Sequence, residues 1–299
     1  VEIVVARTAA DVSTAFDRIG ALAAQGHDLA GYIAYEAGLA LEPRLANLLP
    51  GRSGADGPLV WFGAFKGYET IPAADVPGWL AAHAMPGRVG IGTLDPQVSL
   101  GAYARAFAEL HRAITDGDIY QANLTFPLAG PYRGDPLALY SAIRPSAEAG
   151  YGGIVHDGAN WLLSFSPELF FTLQGRSVRT KPMKGTRPRG RNRAHDGSLR
   201  AELATSVKDR AENLMIVDLM RNDLSRVAET GSVKVEAPFA VESYPTVHQM
   251  VSTVHATLRD GLGPVDLLRA LFPCGSITGA PKIRAMELIA ETERDPRGP

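Results

Sequence analysis

The sequence predicts an α+β fold, in which strands and helices occupy separate runs of the chain. Short apolar runs separated by Gly and Pro are typical of strands and turns. The strand-like segments of the second half cluster ahead of the helical ones, which favours α+β over a regular βαβ alternation. The chain has 299 residues, 45% of them hydrophobic, and is therefore long enough to bury a substantial core.

Composition excludes several classes of protein. The chain has no apolar run of the roughly 18 residues that a membrane span needs, and its first residues do not resemble a signal peptide. Its single cysteine, Cys274, cannot form an internal disulfide, so we expect a reducing, cytoplasmic setting. A formal net charge of −2 gives no support to a nucleic-acid partner.

The N-terminal part combines one helix with short strands. A helix is predicted from Ala9 to Gln25, and the runs GYIAY and LVWFGAF are typical of strands. The polar stretch MPGRVGIGTLDPQVS contains several turn formers and marks the expected boundary. We therefore expect two regions, residues 1–95 and residues 96–299.

A second helix is predicted directly after Ser99, which is a typical N-cap. Five apolar residues recur there at helical spacing. They are Leu100, Tyr103, Phe107, Leu110 and Ile114. Asp116-Gly117 is typical of a helix end. The next segment, DIYQANLTFPL (118–128), alternates apolar and polar residues and predicts a half-buried strand.

The remaining pattern predicts hairpins followed by helices. YGGIVH and NWLLSF flank Asp157-Gly158, and ELFFTL and SVRTKPM flank Gln174-Gly175, as strands flank hairpin turns. Residues 196–228 predict an interrupted helix. A strand, VSTVHATL, and a helix–loop–helix from Pro264 to Glu293 complete the chain.

A basic segment, residues 176–200, contains nine Lys and Arg against one acid. An exposed loop or a nucleic-acid-binding arm is one interpretation. The other is a cationic pocket for a small anion, since Pro182 and Pro188 restrict the backbone and Gly185 allows close approach of a ligand. Lys184 could be a nucleophile there if neighbouring cations and burial lower its pKa, or it could be an ordinary exposed lysine.

Two carboxylates, Asp209 and Glu212, are three residues apart and share a helix face. They could bind Mg²⁺, a hard cation that takes few protein oxygens. Alternatively, Lys208 and Glu212 form a surface ion pair. The run DLMRNDLSRV predicts either a buried polar network or an amphipathic helix with solvent-facing charges.

The segment FPCGSITGAPKIRAMELI places a Gly-rich turn before a helix, with Pro281 suited to the first helical turn. Free backbone amides at such a turn can bind a carboxylate or a phosphate. The spacing does not match a P-loop. Cys274 is interpreted as a packing residue, and His248 and His255 as structural residues.

Six sequence blocks occur in an order that resembles the chorismate-utilising enzymes. The blocks are DIYQANLT, FSPELFF, PMKGTRPRG, KDRAENLMIVDLMRNDLSRV, VHQMVSTV and FPCGSITGAPKIRAMELI. They cover roughly residues 99–290. The resemblance implies the α+β chorismate-binding fold, with packed antiparallel sheets and outer helices.

Lys184 indicates which enzymes of this family the chain resembles most. Aminodeoxychorismate synthases often carry lysine at this position, whereas anthranilate synthases usually carry alanine. The resemblance therefore implies conversion of chorismate and ammonia to 4-amino-4-deoxychorismate through a covalent Lys184 adduct. It also implies that Glu168 is the acid/base and that a glutamine amidotransferase subunit supplies the ammonia.

The same resemblance implies further site residues. Glu212 corresponds to a Mg²⁺ ligand, and Asp209 occupies the acidic position one turn earlier. Six residues are implied in substrate binding. They are Gly185, Thr186, Gln249, Gly275, Ser276 and Gly279. Gln249 departs from the histidine of many family members and cannot carry the same charge.

Other interpretations stay open at this point. The family normally continues beyond the position of Pro299, so we expect a chain that is truncated at its C-terminus. An inactive chorismate-binding remnant is one alternative. Anthranilate synthase component I and isochorismate synthase are enzyme alternatives, and Lys184 opposes both.

Overall fold

The computed structural model describes residues 2–49 and 57–299. Its helices and antiparallel strands confirm the predicted α+β class. The described residues cluster into two compact units. The first contains the chain up to Pro145 together with Gly153–Ser164 and Ile283–Pro299, and the second contains Ser146–Gly152 and Phe165–Lys282. The boundary expected after residue 95 lies inside the first unit and stays a prediction.

The elements are numbered in chain order. Up to residue 166 they are β1 (Glu2–Ala6), α1 (Ala9–Ala24), β2 (Asp28–Ile33), α2 (Ala37–Leu41), β3 (Val60–Phe65), α3 (Val76–His83), β4 (Gly90–Ile91), β5 (Asp95–Pro96), α4 (Leu100–Thr115), β6 (Gln121–Ala122), β7 (Leu128–Ala129), β8 (Tyr132–Arg133), α5 (Pro136–Ala147), β9 (Tyr151–His156) and β10 (Trp161–Ser166). After residue 166 they are β11 (Leu169–Gln174), β12 (Ser177–Lys181), β13 (Met183–Pro188), α6 (Arg193–Thr205), α7 (Val207–Ser225), β14 (Lys234–Ser243), β15 (Val247–Thr257), α8 (Pro264–Leu271), β16 (Gly279–Ala280) and α9 (Lys282–Thr292).

In the described part of the first unit, β1, β3 and β2 form an antiparallel sheet in that order. Helix α1 packs on this sheet and buries Val12, Phe16 and Ile19, as expected of an amphipathic helix. The helix predicted from Ala9 and the two strands predicted after it are confirmed.

Helix α4 is also confirmed, but several of the apolar residues that its spacing places on one face are exposed. The Ser99 hydroxyl caps the helix by accepting a hydrogen bond from the Ala102 amide at 3.2 Å. Leu110 is buried, whereas Leu100 is 85% exposed and Phe107 is 54% exposed. Helical spacing therefore identified the helix without identifying which residues it buries.

The strand predicted over residues 118–128 is wrong. Within this fully described segment, strand pairing is confined to β6 and to Leu128 of β7. The Thr125 amide donates instead to the Glu293 carboxylate at 2.8 Å, and the Asn123 carbonyl accepts from the Arg297 guanidinium. Side chains from a distant part of the chain thus satisfy backbone groups that a neighbouring strand would otherwise have paired.

The second unit is organised around β15. Strands β12 and β13 pair with one edge of β15, and β14 pairs with its other edge. Strand β11 joins β12 through a hairpin, where Gly175 has the positive φ that its turn requires. This hairpin and the strand pair β9–β10 confirm the two predicted hairpins.

Helices α6 and α7 cover this sheet and meet at the predicted interruption. Ser206 separates them, and its hydroxyl accepts from the Asp209 amide at 3.2 Å. Ile216, Met220 and Leu224 of α7 are fully buried in the core against the sheet. The pair α8–α9 confirms the predicted helix–loop–helix, although Pro281 lies just before α9 rather than inside its first turn. Among residues 2–49 and 57–299, no helix has the length and apolar character needed to cross a membrane.

Candidate active site

Lys184 lies in an irregular part of the central sheet of the second unit. Met183 pairs with Val251 and Thr186 pairs with Gln249, so the ladder between β13 and β15 shifts register across Lys184. Bulges of this kind bend a strand and redirect its side chains. The sheet therefore presents Lys184 outside regular strand pairing.

Gly185 allows this bulge to contact α7. Its φ is +95°, and a Cβ atom built on it would lie 2.9 Å from the Cβ of Asp209. Both the backbone conformation and the close approach require glycine. The residue that follows Lys184 thus fixes the bulge against the N-terminal end of α7.

Arg187 holds the same strand to both helices. Its Nη2 lies 3.0 Å from Oδ2 of Asp209, and its Nε lies 2.8 Å from Oε1 of Glu202. One guanidinium therefore joins β13 to α6 and α7. Asp209, which the sequence suggested as a metal ligand, has one oxygen engaged by this arginine.

Glu212 is the more accessible of the two predicted Mg²⁺ ligands. It lies one turn after Asp209, its side chain is 39% exposed, and Lys208 Nζ approaches its Oε1 at 3.8 Å. Carboxylate oxygens fit the preference of Mg²⁺ for hard ligands. Throughout the described ranges, no three or more His, Cys, Asp or Glu side chains form a group that could hold a metal ion. These residues can supply part of a Mg²⁺ shell.

Glu168 immediately precedes β11, and its carboxylate accepts a hydrogen bond from the hydroxyl of Ser276. Burial raises the pKa of Glu168. The hydrogen bonds from Ser276 and the Met183 amide and the charge of Lys184 offset this increase only in part. The structure thus brings together Glu168, Lys184 and Ser276, three residues from separate predicted blocks.

A tight turn between α8 and α9 holds Ser276. Residues Gly275–Ile277 form one turn of 3₁₀ helix, and Ser276 is buried. A Cβ atom on Gly275 would overlap the side chain of Leu219 in α7, so glycine is required for this contact. Gly279, in β16, is buried in the same segment. The predicted Gly-rich turn is therefore present and packed against α7.

Cys274 has the packing role that its sequence context predicted. Its Sγ lies 3.2 Å from Oγ of Ser276. Burial and the nearby Glu168 charge raise the pKa of this thiol, which disfavours the reactive thiolate.

Thr186 and Gln249 form a cross-strand pair. The Thr186 hydroxyl donates to Oε1 of Gln249 at 2.8 Å. With its carbonyl oxygen bound, the Gln249 amide presents its NH₂ group as a donor. Both residues belong to the predicted substrate-binding set.

His248 points away from Gln249 and has a structural role. It is fully buried, with Nδ1 at 2.8 Å from Oγ of Ser243 and Nε2 at 3.0 Å from Oδ1 of Asp196. Asp196 also accepts two hydrogen bonds from Arg189. Sequence reasoning did not identify this network.

The basic segment is folded, and carboxylates pair with several of its cations. Arg187 and Arg189 pair with acids of the two helices, and Lys181 Nζ lies 2.6 Å from Oε1 of Glu242. An extended nucleic-acid-binding arm requires cations that are free to contact phosphates. The observed pairing favours the interpretation as part of a structured site.

The run DLMRNDLSRV contains both of the environments that its sequence left open. Asp218 and Arg221 form an exposed pair, whereas Asp223 is buried and pairs with Lys282. Sequence reasoning missed Lys282, although its position directly after Pro281 at the start of a helix was visible.

The fold and these blocks identify the family. A model of the chorismate binding enzyme family matches residues 5–299, and the chain belongs to this family. The fold is similar to that in the solved structure of anthranilate synthase component I from Streptococcus pneumoniae, with a TM-score of 0.74 and 24% sequence identity. The match covers 91% of this chain and 67% of that one. This likeness confirms the expected chorismate-binding fold.

Within the family, the chain is 48% identical over 193 residues to aminodeoxychorismate synthase component 1 of Salmonella typhimurium. The matched segment is 64% of this chain and 42% of the relative. It is 39% identical over 265 residues to anthranilate synthase component 1 of Thermus thermophilus, which covers 87% of this chain and 56% of that protein. The resemblance to aminodeoxychorismate synthases is confirmed. The chain spans about half the length of these curated relatives or less.

We predict that Gly185→Ala destabilises the second unit by more than about 1–3 kcal/mol, the usual cost of a strained backbone conformation. The added methyl group also contacts Asp209. Gly231→Ala is the matched control, because Gly231 has φ +78° and a Cβ atom added to it would have no neighbour within 4 Å. Urea unfolding followed by circular dichroism measures both, and equal losses would contradict the proposed contact.

We predict that Glu168→Gln becomes increasingly stabilising, relative to the parent protein, as pH rises above about 4.3. Because burial raises the pKa of Glu168, the folded state binds the proton more tightly than the unfolded state and loses stability as the carboxyl ionises. The measurement is the free energy of unfolding between pH 4 and pH 8.

Glu242→Gln is the control, because the pKa of Glu242 is shifted in the opposite direction. Burial acts to raise the pKa of Glu242, but hydrogen bonds from Lys181 and Tyr244 outweigh it and lower the pKa. The stability contributed by Glu242 is therefore present above its unfolded pKa and lost as pH falls. A Glu168→Gln profile that runs parallel to the Glu242→Gln profile would refute the assignment.

Proposed function

We propose that the chain forms the chorismate-aminating centre of an enzyme that converts chorismate and ammonia to 4-amino-4-deoxychorismate. One observation carries this proposal: Lys184 projects from a bulge within electrostatic reach of Glu168, whose carboxylate is bound by Ser276. An amine, a carboxyl with a raised pKa and a buried hydroxyl are the groups needed for covalent substitution with acid assistance. The likeness to proteins named aminodeoxychorismate synthase supports it.

In the first step, the neutral amine of Lys184 attacks C2 of chorismate. The N–C2 bond forms, the ring double bond shifts, and the C4–O bond breaks. Glu168, whose pKa is raised by burial, gives a proton to the departing hydroxyl, which leaves as water. The adduct nitrogen then loses a proton, and the ionised Glu168 is the nearby base that can take it.

In the second step, ammonia attacks C4 and the double bond shifts back. The N–C2 bond to Lys184 breaks as the C4–N bond forms, and the proton lost by the incoming nitrogen returns to the lysine. The sum is chorismate plus ammonia giving aminodeoxychorismate plus water. Two allylic substitutions thus replace one difficult displacement.

The substrate-binding role falls to residues around this pair. Gln249 offers an amide NH₂ donor beside Thr186, and the turn at Gly275 and Ser276 offers buried polar groups. Gly185 and Gly279 lie in the same two segments and would contact the substrate through their backbone groups. These polar groups suit a ligand that carries carboxylates, as chorismate does.

We further propose that Glu212 binds Mg²⁺, with Asp209 contributing through its remaining oxygen. When bound, the ion would neutralise the substrate's ring carboxylate. Arg187 keeps Asp209 in a fixed orientation, and Glu212 is open to solvent. Ammonia would come from a glutamine amidotransferase subunit, which agrees with the name component 1 carried by the Salmonella relative.

Anthranilate synthase is the second candidate. The Thermus relative of that name matches a longer part of this chain than the Salmonella protein does. Lys184 distinguishes the two proposals, because an anthranilate-forming reaction releases pyruvate and needs no lysine adduct. Product analysis therefore decides between them.

We predict that the protein, given chorismate, ammonium and Mg²⁺, forms aminodeoxychorismate, and that Lys184→Ala reduces turnover by at least about a thousandfold. Mass spectrometry of the quenched reaction should show an adduct on Lys184. Lys234→Ala, which changes an exposed lysine on β14, is the matched control and should retain full turnover.

Each other outcome has a defined meaning. Anthranilate and pyruvate as products would replace the first candidate with the second. Chorismate binding without any product would favour a non-catalytic remnant. Full turnover of Lys184→Ala would reject the covalent mechanism.

We predict that Glu212→Gln raises the Mg²⁺ concentration needed for half-maximal activity by at least about tenfold. Binding of Mn²⁺, measured by electron paramagnetic resonance, provides a readout that is independent of turnover. Asp218→Asn, an exposed carboxylate on the same helix, is the control and should leave Mn²⁺ binding unchanged. Unchanged Mn²⁺ binding by Glu212→Gln would exclude it as a ligand.

A further inference from the structure

Lys282 forms a buried polar cluster in the second unit. Its Nζ lies 2.6 Å from Oδ2 of Asp223, 3.1 Å from the carbonyl oxygen of Leu271 and 3.3 Å from that of Pro273. Lys282 is 9% exposed and Asp223 is 3% exposed. An ammonium group has three N–H donors, so these three acceptors satisfy it.

The cluster joins both ends of the segment that holds Ser276. Leu271 is the last residue of α8 and Lys282 is the first residue of α9, so the ammonium group closes the loop between them. Asp223 attaches that closed loop to α7. Gly275 contacts Leu219, one turn earlier on the same helix, and the loop is thus held to α7 at two neighbouring positions.

The loop in turn controls the environment of Glu168. Ser276 donates a hydrogen bond to the Glu168 carboxylate, and Cys274 contacts the Ser276 hydroxyl. A displaced loop would remove this donor. Through this contact, the Lys282 cluster can affect a residue that it does not itself touch.

Stability alone does not explain the choice of an ion pair here. A buried pair loses much hydration, and apolar residues of similar volume are often as stable or more stable. Hydrogen bonds to two carbonyls and one carboxylate instead define a single loop geometry. Apolar side chains would pack without fixing that geometry.

We infer that Lys282 and Asp223 are positioning residues that hold Ser276 against Glu168. The role of Glu168 rests on the proposed function, whereas the clamping of the loop does not. Two experiments therefore test the inference, one without turnover and one with it.

The first experiment uses Cys274 as a probe of the loop. Because Cys274 is the chain's single cysteine, labelling by a thiol reagent reports on this loop alone. We expect Lys282→Met to accelerate labelling under native conditions by more than about tenfold, since removing one partner of a buried pair leaves an uncompensated charge. Arg221→Met, which breaks the exposed pair with Asp218, is the control and should leave the rate unchanged.

A second variant separates loop clamping from global stability. Lys282→Met/Asp223→Leu replaces both charges with apolar groups and should fold as stably as the parent protein. It still lacks the hydrogen bonds to Leu271 and Pro273, so we expect Cys274 to label rapidly in it as well. Labelling of this folded variant at the parent rate would overturn the inference.

The second experiment is a double-mutant cycle on kcat between Lys282→Met and Ser276→Ala. If Lys282 acts through Ser276, the double variant should lose no more than about twofold beyond Ser276→Ala alone. Lys282→Arg, which can donate to the same acceptors, should restore part of the activity. Fully additive losses would overturn the positioning role. Absence of turnover in the parent protein would refute the proposed function, and the labelling result would still decide the clamp.

Discussion

The packing of α7 across the central sheet is the constraint on which the candidate site depends. Along one helix, Asp209 contacts the bulge that presents Lys184, Asn213 bonds to β15, and Leu219 supports the turn that holds Ser276. Leu224 and its neighbours anchor the helix in the core. Because these contacts share one rigid helix, a shift of α7 would disturb the Lys184 bulge and the Ser276 turn together.

Electrostatics in this site differ sharply over short distances. Around the basic segment, carboxylates pair with Arg187 and Arg189 and are thereby held beside positive charges. At Glu168, the nearest donors are a hydroxyl and a backbone amide, and burial raises the pKa. A protein that needs one carboxyl to carry a proton and others to stay ionised can achieve both by this difference in partners.

Local sequence patterns predicted most of the helices and hairpins, because helix caps and hairpin turns depend on residues that are close in sequence. Ser99 and Gly175 are examples, and both have the predicted roles. The sequence failed where distant residues decide the outcome. The Thr125 amide bonds to the Glu293 carboxylate instead of to a neighbouring strand. The role of Lys282 depends on its pairing with Asp223, which is distant in sequence. Alternation and charge spacing contain no information about such partners.

The double pairing of β15 has a consequence for how the chain folds during synthesis. Strands β12 and β13 and helix α7 all leave the ribosome before β15, yet β12 and β13 find their shared partner only in that later strand. Until β15 emerges, both strands expose an unpaired edge, and nascent chains with open edges are prone to aggregation. The nascent polypeptide is therefore expected to depend on chaperones until Thr257, the last residue of β15, has emerged from the ribosome.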